Sequence, residues 1–261
     1  MSDAAPTAPE RSPLRKLWDE VGTFAVAVLL ALSIRAFVIE PYRIPSESML
    51  PTLLIGDHLF VNKFTYGVKL PFTDYRLPAL REPARGDVVV FNVVRDARGN
   101  IFPVDQHPEL PRDQFVKRLI GLPGDEIEVR AGDLFVNGAR VEREDTGQTF
   151  EDKDHRMLRV GRENLGGVVH AVLDEPRITG PELRPTKLPE GRYLMMGDNR
   201  DLSNDSRIWG TIRLADMKGP AFVLYWSWDW DGPWIELLNP IQWWTLLTQH
   251  TRYDRIGNWI H

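Results

Sequence analysis

The segment FVKRLIGLPGD, residues 115–125, joins a short β-branched and aromatic run to a turn rich in glycine and proline. Such a run, ending at a turn, predicts a β-strand. Alternation along this strand places Lys117 on the same face as Phe115 and Leu119, while Arg118 on the other face can reach water. Burial disfavours the ammonium form of a lysine and lowers its pKa. Lys117 is therefore either a neutral amine that can accept a proton or an edge-strand lysine whose amine snorkels to water.

The same pattern of short runs and turns continues on both sides of this segment and predicts a mainly β fold. No long amphipathic helix is expected between residues 50 and 230. The charged stretches Arg95–Arg112 and Glu142–Glu163 lack a clear period, so we expect loops there. The predicted strands are Asp57–Phe64, Asp87–Val94, Gln114–Ile120, Ile127–Arg130, Leu134–Val136, Ala139–Val141, Val168–Val172, Arg192–Met196 and Ala221–Trp226.

Charge and composition argue against nucleic acid as a partner and exclude cysteine chemistry. The 261-residue chain has a formal net charge of −5 and no cysteine. The charge gives no general attraction to a phosphate backbone, so we do not expect nucleic acid as a partner. Without cysteine there is no disulfide, thiolate metal site or cysteine nucleophile, and we expect no metal and no organic cofactor. The six histidines are expected to be exposed or hydrogen-bonded rather than catalytic: His58, His107, His155, His170, His250 and His261.

The N-terminal part of the chain has a composition of its own. Residues 1–16 are rich in proline, alanine and charge, and we expect them to be disordered. Within residues 17–40, the run VGTFAVAVLLALSIRAFVI (21–39) is about as long as a bilayer is thick, and predicts one transmembrane anchor. Basic residues before it predict a cytoplasmic N-terminus, with residues 41–261 on the other side. The alternatives are a signal peptide cleaved near Ala31-Leu32-Ser33 and a buried core helix.

Two serines follow this apolar run. Residues 44–53 read IPSESMLPTL, which sets Ser46 and Ser48 between two prolines that fix the local backbone. One hydroxyl could attack a carbonyl carbon while the other donates a hydrogen bond to the oxyanion that forms. The alternative is a polar, proline-rich linker. A base elsewhere in the chain would favour the catalytic interpretation.

A third segment, GDNRDLSNDSRIWG at residues 197–210, gathers carboxylates, arginines and two serines between glycines. Bidentate pairs between aspartate and arginine can lock a loop behind a catalytic site. The competing interpretation is a calcium-binding loop, but the glycine and the terminal glutamate of an EF-hand are not at their positions.

Together these three segments resemble the bacterial type I signal peptidases, serine endopeptidases with a Ser–Lys dyad. The resemblance is densest in residues 45–63, 86–91, 117–125 and 197–210. It implies an enzyme that removes N-terminal signal peptides from exported preproteins after Ala-x-Ala sites. It also implies a β-rich catalytic domain with a β insertion at about residues 123–192, a location at the bacterial inner membrane, and two partners, the preproteins and the phospholipid bilayer.

The resemblance assigns roles to individual residues. It implies that Ser48 is the nucleophile and that Lys117 is the general base. It also implies that the Ser46 hydroxyl donates a hydrogen bond to the oxyanion. The expected supporting groups are a serine that orients the lysine amine, Ser203, and an ion pair, Asp205 with Arg207. The residues expected to contact substrate are Tyr42, Ile44, Pro45, Met49, Leu53, Phe115 and Val116.

Three features depart from the family pattern. Glu47 stands between the two serines where many members have glycine, so its charge must point away from the dyad or weaken the oxyanion. One span is expected, whereas some Gram-negative relatives have two. The insertion Asp96–Arg112 is longer than expected.

The C-terminal quarter is rich in tryptophan, at positions 226, 228, 230, 234, 243 and 244. Indole rings favour the membrane interface, so these residues could rest the catalytic domain on the bilayer. An aromatic core layer is the alternative.

Two other functions are compatible with these sequence features. A self-cleaving repressor would share the Ser–Lys dyad, but it would carry a DNA-binding domain where residues 1–40 offer an apolar span. A membrane-tethered β module without enzymatic activity would bind exported partners and cleave nothing.

Overall fold

A computed structural model describes three stretches of the chain: residues 13–68, 76–230 and 239–260. The contacts divide the chain into two compact units, residues 1–39 and residues 40–261. The described part of the first unit contains one helix, and the second unit contains the β-sheets and the predicted site.

Helix α1 spans Pro13–Phe37. It begins inside the segment 1–16 that we expected to be disordered, because proline is well tolerated at a first helical position; residues 1–12 lie outside the described part of the chain. Apolar side chains of α1, including Phe24 and Leu29, are exposed. Within the residues that the structure describes, no helix is both long enough and apolar enough to cross a membrane.

The described residues form fifteen β-strands, which confirms the mainly β prediction. They are β1 (Ile39–Arg43), β2 (Asp57–Asn62), β3 (Val88–Arg95), β4 (Ile101–Phe102), β5 (Arg112–Gly121), β6 (Glu126–Arg130), β7 (Asp133–Val136), β8 (Ala139–Arg140), β9 (Glu142–Glu151), β10 (Met157–Leu165), β11 (Val168–Asp174), β12 (Leu183–Lys187), β13 (Arg192–Met196), β14 (Ile212–Arg213) and β15 (Met217–Ser227).

Helical turns among the described residues of the second unit are short. They are α2 (Ser206–Trp209), a 3₁₀ turn (Leu214–Asp216), α3 (Pro240–Thr245), a π-helical turn (Leu246–His250) and a second 3₁₀ turn (Tyr253–Arg255).

The largest sheet has the strand order β1-β2-β15-β3-β5-β13-β14, with β4 added to β3. Strand β5 is antiparallel to β3 and places Lys117 opposite Val89. Its other neighbour, β13, pairs only with the far end of β5, from Arg118 to Gly121. The first half of β5 therefore keeps one backbone edge without a strand partner among the described residues. Strand β1 forms an outer edge of the same sheet.

The strands β6–β12 fall within the predicted insertion at residues 123–192 and form two further sheets, ordered β11-β10-β9 and β12-β6-β7-β8. The expectation of a loop at Glu142–Glu163 is wrong, because this stretch forms β9 and most of β10. Exposed residues dominate β9 and buried residues alternate along β10, which gives the polar composition of a hairpin with one solvated face. The stretch Arg95–Arg112 is mostly irregular, as expected, apart from the two residues of β4.

The two faces of the large sheet are covered by different core clusters. Phe91 and Leu119 belong to one cluster, with Met195 from β13. Leu59 and Val90 belong to the other, packed against the partly buried Val116. Lys117 emerges on the Leu119 face, as alternation predicts. On this face of β5, Lys117 lies between Phe115 and Leu119.

Candidate active site

A lysine and a serine from distant parts of the sequence meet in one cleft. Ser48 lies in a turn after Pro45, and Lys117 lies in the middle of β5. The Lys117 Nζ donates a hydrogen bond to Ser48 Oγ. Lys117 is only 4% exposed, and its Nζ lies 5.4 Å from the centroid of the Phe115 ring. The amine is therefore enclosed beside the hydroxyl and does not extend to water.

This enclosure changes the proton affinity of the amine. Burial lowers the pKa of Lys117 from 10.5 to about 8, because an ammonium loses its hydration there. The nearby charge of Arg207 also lowers this pKa, whereas the carboxylates of Asp205 and Asp198 raise it. A substantial fraction of the lysine is consequently neutral at mildly alkaline pH and can accept a proton.

The segment that carries the serines is held by the loop after β13. The Asn199 N–H donates to the Ser48 carbonyl at 3.2 Å. The Asn199 side-chain Nδ2 donates to the Glu47 carbonyl, also at 3.2 Å. Ser46 Oγ lies 3.4 Å from Ser48 Oγ, so the two hydroxyls face the same cleft. Sequence reasoning gave Asn199 no role, and its place among the charged residues of 197–210 was the available signal.

Asp205 and Arg207 form a buried ion pair behind the dyad. Arg207 donates from Nε and from one terminal nitrogen to the carboxylate, with both distances at 2.8 Å. Asp205 also caps helix α2 by accepting from the Arg207 N–H, and it accepts from the Gly197 N–H at 3.0 Å. Burial acts to raise the pKa of Asp205, but the hydrogen bonds and charge of Arg207 lower it overall. The carboxylate therefore stays charged and fixes the loop.

Ser203 lies in the same loop and is buried. Within the described residues, no hydrogen bond joins its Oγ to Lys117 Nζ, and its hydroxyl helps to lower the pKa of the neighbouring Asp205 carboxylate. Its predicted role in orienting the lysine amine stays a prediction. Gly197 lies directly against it: a Cβ added to Gly197 would be 2.6 Å from Ser203 Cβ and would also meet the Ser48 carbonyl oxygen. Glycine is therefore required where the loop passes the nucleophile segment.

Arg118 corrects the sequence-based expectation most clearly. We expected it to reach water, yet it is 0% exposed. Its Nε and a terminal nitrogen donate to the two Asp198 carboxylate oxygens at 2.8 and 2.7 Å. Thr52 Oγ1 also donates to Asp198, at 2.6 Å. This bidentate pair satisfies the buried guanidinium, which removes the need for water on that face of β5. Sequence reasoning missed both members of the pair.

The histidines lie away from the dyad among the described residues. His107 contacts Glu109, His155 contacts Glu151, and His250 donates from Nδ1 to the Asp229 carbonyl. His58 packs against the rings of Tyr225 and Trp228, and His261 lies outside the described residues. His170 is buried, with Nε2 at 3.4 Å from a Glu163 oxygen. No hydrogen bond joins any of the described histidines to Ser48.

The dyad opens into a cleft of about 400 Å³. Six of the seven residues predicted to contact substrate line it: Tyr42, Ile44, Pro45, Met49, Phe115 and Val116. Leu53 is the exception, because it is 0% exposed and packs in the core with Leu59. The lining comes mainly from the end of β1 and the first half of β5, the two strands with open edges. The cleft thus combines small apolar surfaces with backbone groups that can pair with an extended peptide.

The C-terminal tryptophans divide into two groups. Trp226, Trp228 and Trp230 are partly buried and pack against one another, with centroids 6.3 Å apart for the first two and 6.1 Å for the last two. Trp243 and Trp244 are exposed, at 56% and 75%. Trp234 lies outside the described residues. The packing of the first group fits an aromatic layer, and contact of the second group with the membrane stays a prediction.

The described residues contain no cluster of three or more acidic or histidine side chains arranged to hold a metal ion. The arrangement at Ser48 is that of an activated nucleophile: a hydroxyl, an adjacent base with a lowered pKa, and a second hydroxyl beside it. Such a site can transfer the acyl group of a peptide bond from nitrogen to the serine oxygen and then to water.

Comparison with known proteins finds consistent similarity. A family model described as signal peptidase, peptidase S26, matches residues 17–226. A signal peptidase I of Pseudomonas fluorescens is 36% identical over 218 residues, which cover 79% of this chain and 71% of the relative. Signal peptidase I of Pseudomonas aeruginosa is 34% identical, covering 87% and 79%. A probable signal peptidase I-2 of Synechocystis is 36% identical, covering 83% and 77%.

Proposed function

Since the chain belongs to the signal peptidase family, peptidase S26, we propose that it cleaves signal peptides with Ser48 as the nucleophile and Lys117 as the general base. Members of this family are serine endopeptidases, and the named relatives are signal peptidases. The observation that carries the proposal is the hydrogen bond from Lys117 Nζ to Ser48 Oγ inside a buried site. The substrates are exported preproteins that carry an N-terminal signal peptide.

Acylation begins with the neutral form of Lys117. Its amine takes the proton of Ser48 as Oγ bonds to the scissile carbonyl carbon. The carbonyl oxygen becomes an oxyanion, to which the Ser46 hydroxyl and the Ser48 N–H donate hydrogen bonds. The lysine ammonium then gives its proton to the leaving amine as the peptide bond breaks. Deacylation repeats the sequence, with water as the nucleophile and Lys117 again accepting the proton.

The supporting residues act on this cycle through position and charge. Asp205 and Asp198 keep the pKa of Lys117 above the value that burial alone would give, so the ammonium can form during acylation. The ion pairs of these carboxylates with Arg207 and Arg118 hold the loop and β5 in place. Ser203 orients the lysine amine in this proposal, from its buried position beside Gly197.

Substrate preference follows from the cleft. A signal-peptide segment binds as an extended strand along the open edges of β1 and β5, with its side chains directed alternately into the lining. In this proposal Ile44, Met49 and Phe115, which line the cleft, restrict the first and third positions before the cut to small side chains. A larger side chain there would clash, which accounts for an Ala-x-Ala preference.

The proposed location of the enzyme is a membrane. We propose that residues 17–40 anchor the enzyme in the bacterial inner membrane, with the N-terminus in the cytoplasm and the catalytic domain outside. The exposed apolar side chains of α1 support an anchor, and the exposed Trp243 and Trp244 support contact of the catalytic domain with the bilayer. In residues 41–261 alone, without the proposed anchor, replacing both tryptophans with serine should weaken binding to phospholipid vesicles. Unchanged binding would leave these residues without a role at the membrane.

The proposed function is tested with a peptide that contains an Ala-x-Ala cleavage site. The full chain in detergent should cleave it after the second alanine. Ser48→Ala and Lys117→Met should each abolish cleavage, whereas Lys153→Met, at an exposed lysine, should cleave normally. Cleavage that persists in the Ser48 and Lys117 variants would refute the dyad, and a wild-type enzyme that cleaved only peptides with bulky residues at both positions would refute the substrate class.

A further inference from the structure

Glu47 poses an electrostatic problem for the proposed mechanism. It stands between Ser46 and Ser48, the two residues whose hydroxyls face the oxyanion site. A carboxylate close to that site repels the negative charge that develops on the carbonyl oxygen and raises the barrier to acylation. The chain nevertheless has glutamate at this position, so its carboxylate must point away from the oxyanion site or be paired with a cation.

The Glu47 side chain leaves the catalytic cleft altogether. Ser46 and Ser48 line the cleft with Lys117, whereas Glu47 lines a separate cavity with Leu50 and Phe150. There its carboxylate lies 3.3 Å from a terminal nitrogen of Arg156. The Glu47 side chain is 21% exposed and the Arg156 side chain 30%, so the pair is shielded from water on most sides.

Arg156 is itself fixed by the connection between β9 and β10. The Asp152 carboxylate accepts hydrogen bonds from the Arg156 N–H at 2.9 Å and from its Nε at 2.6 Å. The Asp152 side chain is 0% exposed and therefore forms a rigid base for the guanidinium. Asp154 lies 3.0 Å from the same terminal nitrogen that reaches Glu47. The guanidinium is held before it meets Glu47, which reduces the entropy cost of the contact.

We propose that Arg156 is a positioning residue for the reaction, which holds the Glu47 carboxylate outside the cleft and neutralises it while the oxyanion forms. This inference rests on the proposed function, because it concerns the oxyanion beside Ser48. It also assigns a task to the β9–β10 hairpin: its connection brings the Arg156 guanidinium, which is also paired with Asp152 and Asp154, to the back of the nucleophile segment. Glu47 in turn ties the hairpin to that segment.

The expected effect follows from the charge that Arg156 compensates. Two unit charges about 8 Å apart in a medium with an effective dielectric constant of about 40 change a rate by about fivefold. Arg156→Gln should therefore lower kcat about fivefold and leave KM within about twofold, since the repulsion acts on the transition state. Glu47→Gln removes the repelling carboxylate and leaves the Arg156 cation in place, so kcat should equal or exceed the wild-type value.

The decisive experiment is a double-mutant cycle on cleavage of the Ala-x-Ala peptide, with kcat and KM measured separately. The variant with both Glu47→Gln and Arg156→Gln should regain a kcat within about twofold of wild type, because no uncompensated carboxylate remains. A double variant as slow as Arg156→Gln would overturn the proposal, since Arg156 would then act only through the scaffold. An Arg156→Gln variant with the wild-type kcat would overturn it as well.

Further variants keep the result interpretable. Arg156→Lys retains the positive charge and should be faster than Arg156→Gln; equal rates would contradict a role for that charge, even if the glutamine variant were poorly folded. Arg162→Gln is the matched control, because Arg162 pairs with Glu144 on the same hairpin at 4.0 Å and is 61% exposed; it should cleave normally. Cleavage by Ser48→Ala would refute the proposed function instead, which separates the two failures.

Discussion

The pH dependence of cleavage should report the titration of Lys117. With a pKa of about 8, about a tenth of the lysine is neutral at pH 7, about half at pH 8 and about nine-tenths at pH 9. If the neutral amine is the base, kcat/KM should rise about tenfold from pH 6 to 7, about tenfold again from pH 7 to 9, and then level off. For a lysine with the unperturbed pKa of 10.5, the neutral fraction at pH 7 would be about 300-fold smaller.

The same burial makes a prediction about stability. Because the pKa of folded Lys117 lies below the value of 10.5 for an exposed lysine, the buried ammonium lowers the free energy of unfolding below pH 8. This cost fades as the pH rises from 8 through 10.5 and is gone well above 10.5, where the lysine is neutral in both states. The shift corresponds to about 3 kcal/mol at pH 7. Lys117→Met removes the ammonium, so it should abolish cleavage and yet raise the free energy of unfolding by up to about that amount.

Both quantities can be measured on the same preparations. Initial rates of peptide cleavage between pH 6 and 10 give the profile, and urea denaturation at pH 7 gives the free energy of unfolding. Lys153→Met serves as the control and should match wild type in both, within about 0.5 kcal/mol in stability. A flat profile between pH 6 and 9 would refute Lys117 as the base. A Lys117→Met variant less stable than wild type at pH 7 would refute the reasoning about burial.

Three further predictions concern the surroundings of the dyad. Gly197→Ala should cost about 1–3 kcal/mol of stability, because its Cβ meets Ser203 and the nucleophile segment; wild-type urea midpoint and activity would contradict this contact. Asp198→Ala should lower the free energy of unfolding by about 3–5 kcal/mol, because Arg118 is left buried and unpaired; a smaller loss than about 1 kcal/mol would show that the guanidinium finds another partner. Ser46→Ala should lower kcat about 10²–10³-fold if its hydroxyl binds the oxyanion, and a kcat within threefold of wild type would remove it from that role.

The sequence predicted those parts of the structure that depend on local pattern. Alternation in residues 115–120 placed Lys117 on the face of Leu119, where the structure has it. The turn chemistry and the short apolar runs predicted a mainly β protein. These features follow from the two-residue repeat of a strand and from turn residues, both of which are local properties.

The errors arose where a distant segment decides the environment of a residue. Arg118 looked like a solvent-facing arginine, because Asp198 lies 80 positions away and nothing local shows that the two meet. Glu142–Glu163 looked like a loop, because a hairpin with one solvated face has too few apolar residues to show a clear alternation. Leu53 was expected in the substrate cleft but packs in the core, since its neighbours come from β2.

The most direct test of the central claim, that the Ser48 oxygen is the nucleophile, uses the absence of cysteine from this chain. The variant Ser48→Cys carries a single thiol, which N-ethylmaleimide can alkylate without modifying any other cysteine. We predict that this variant retains slow cleavage of the Ala-x-Ala peptide and loses it in proportion to alkylation, while the wild-type enzyme keeps its full rate after the same treatment. Undiminished cleavage by fully alkylated Ser48→Cys would contradict the account.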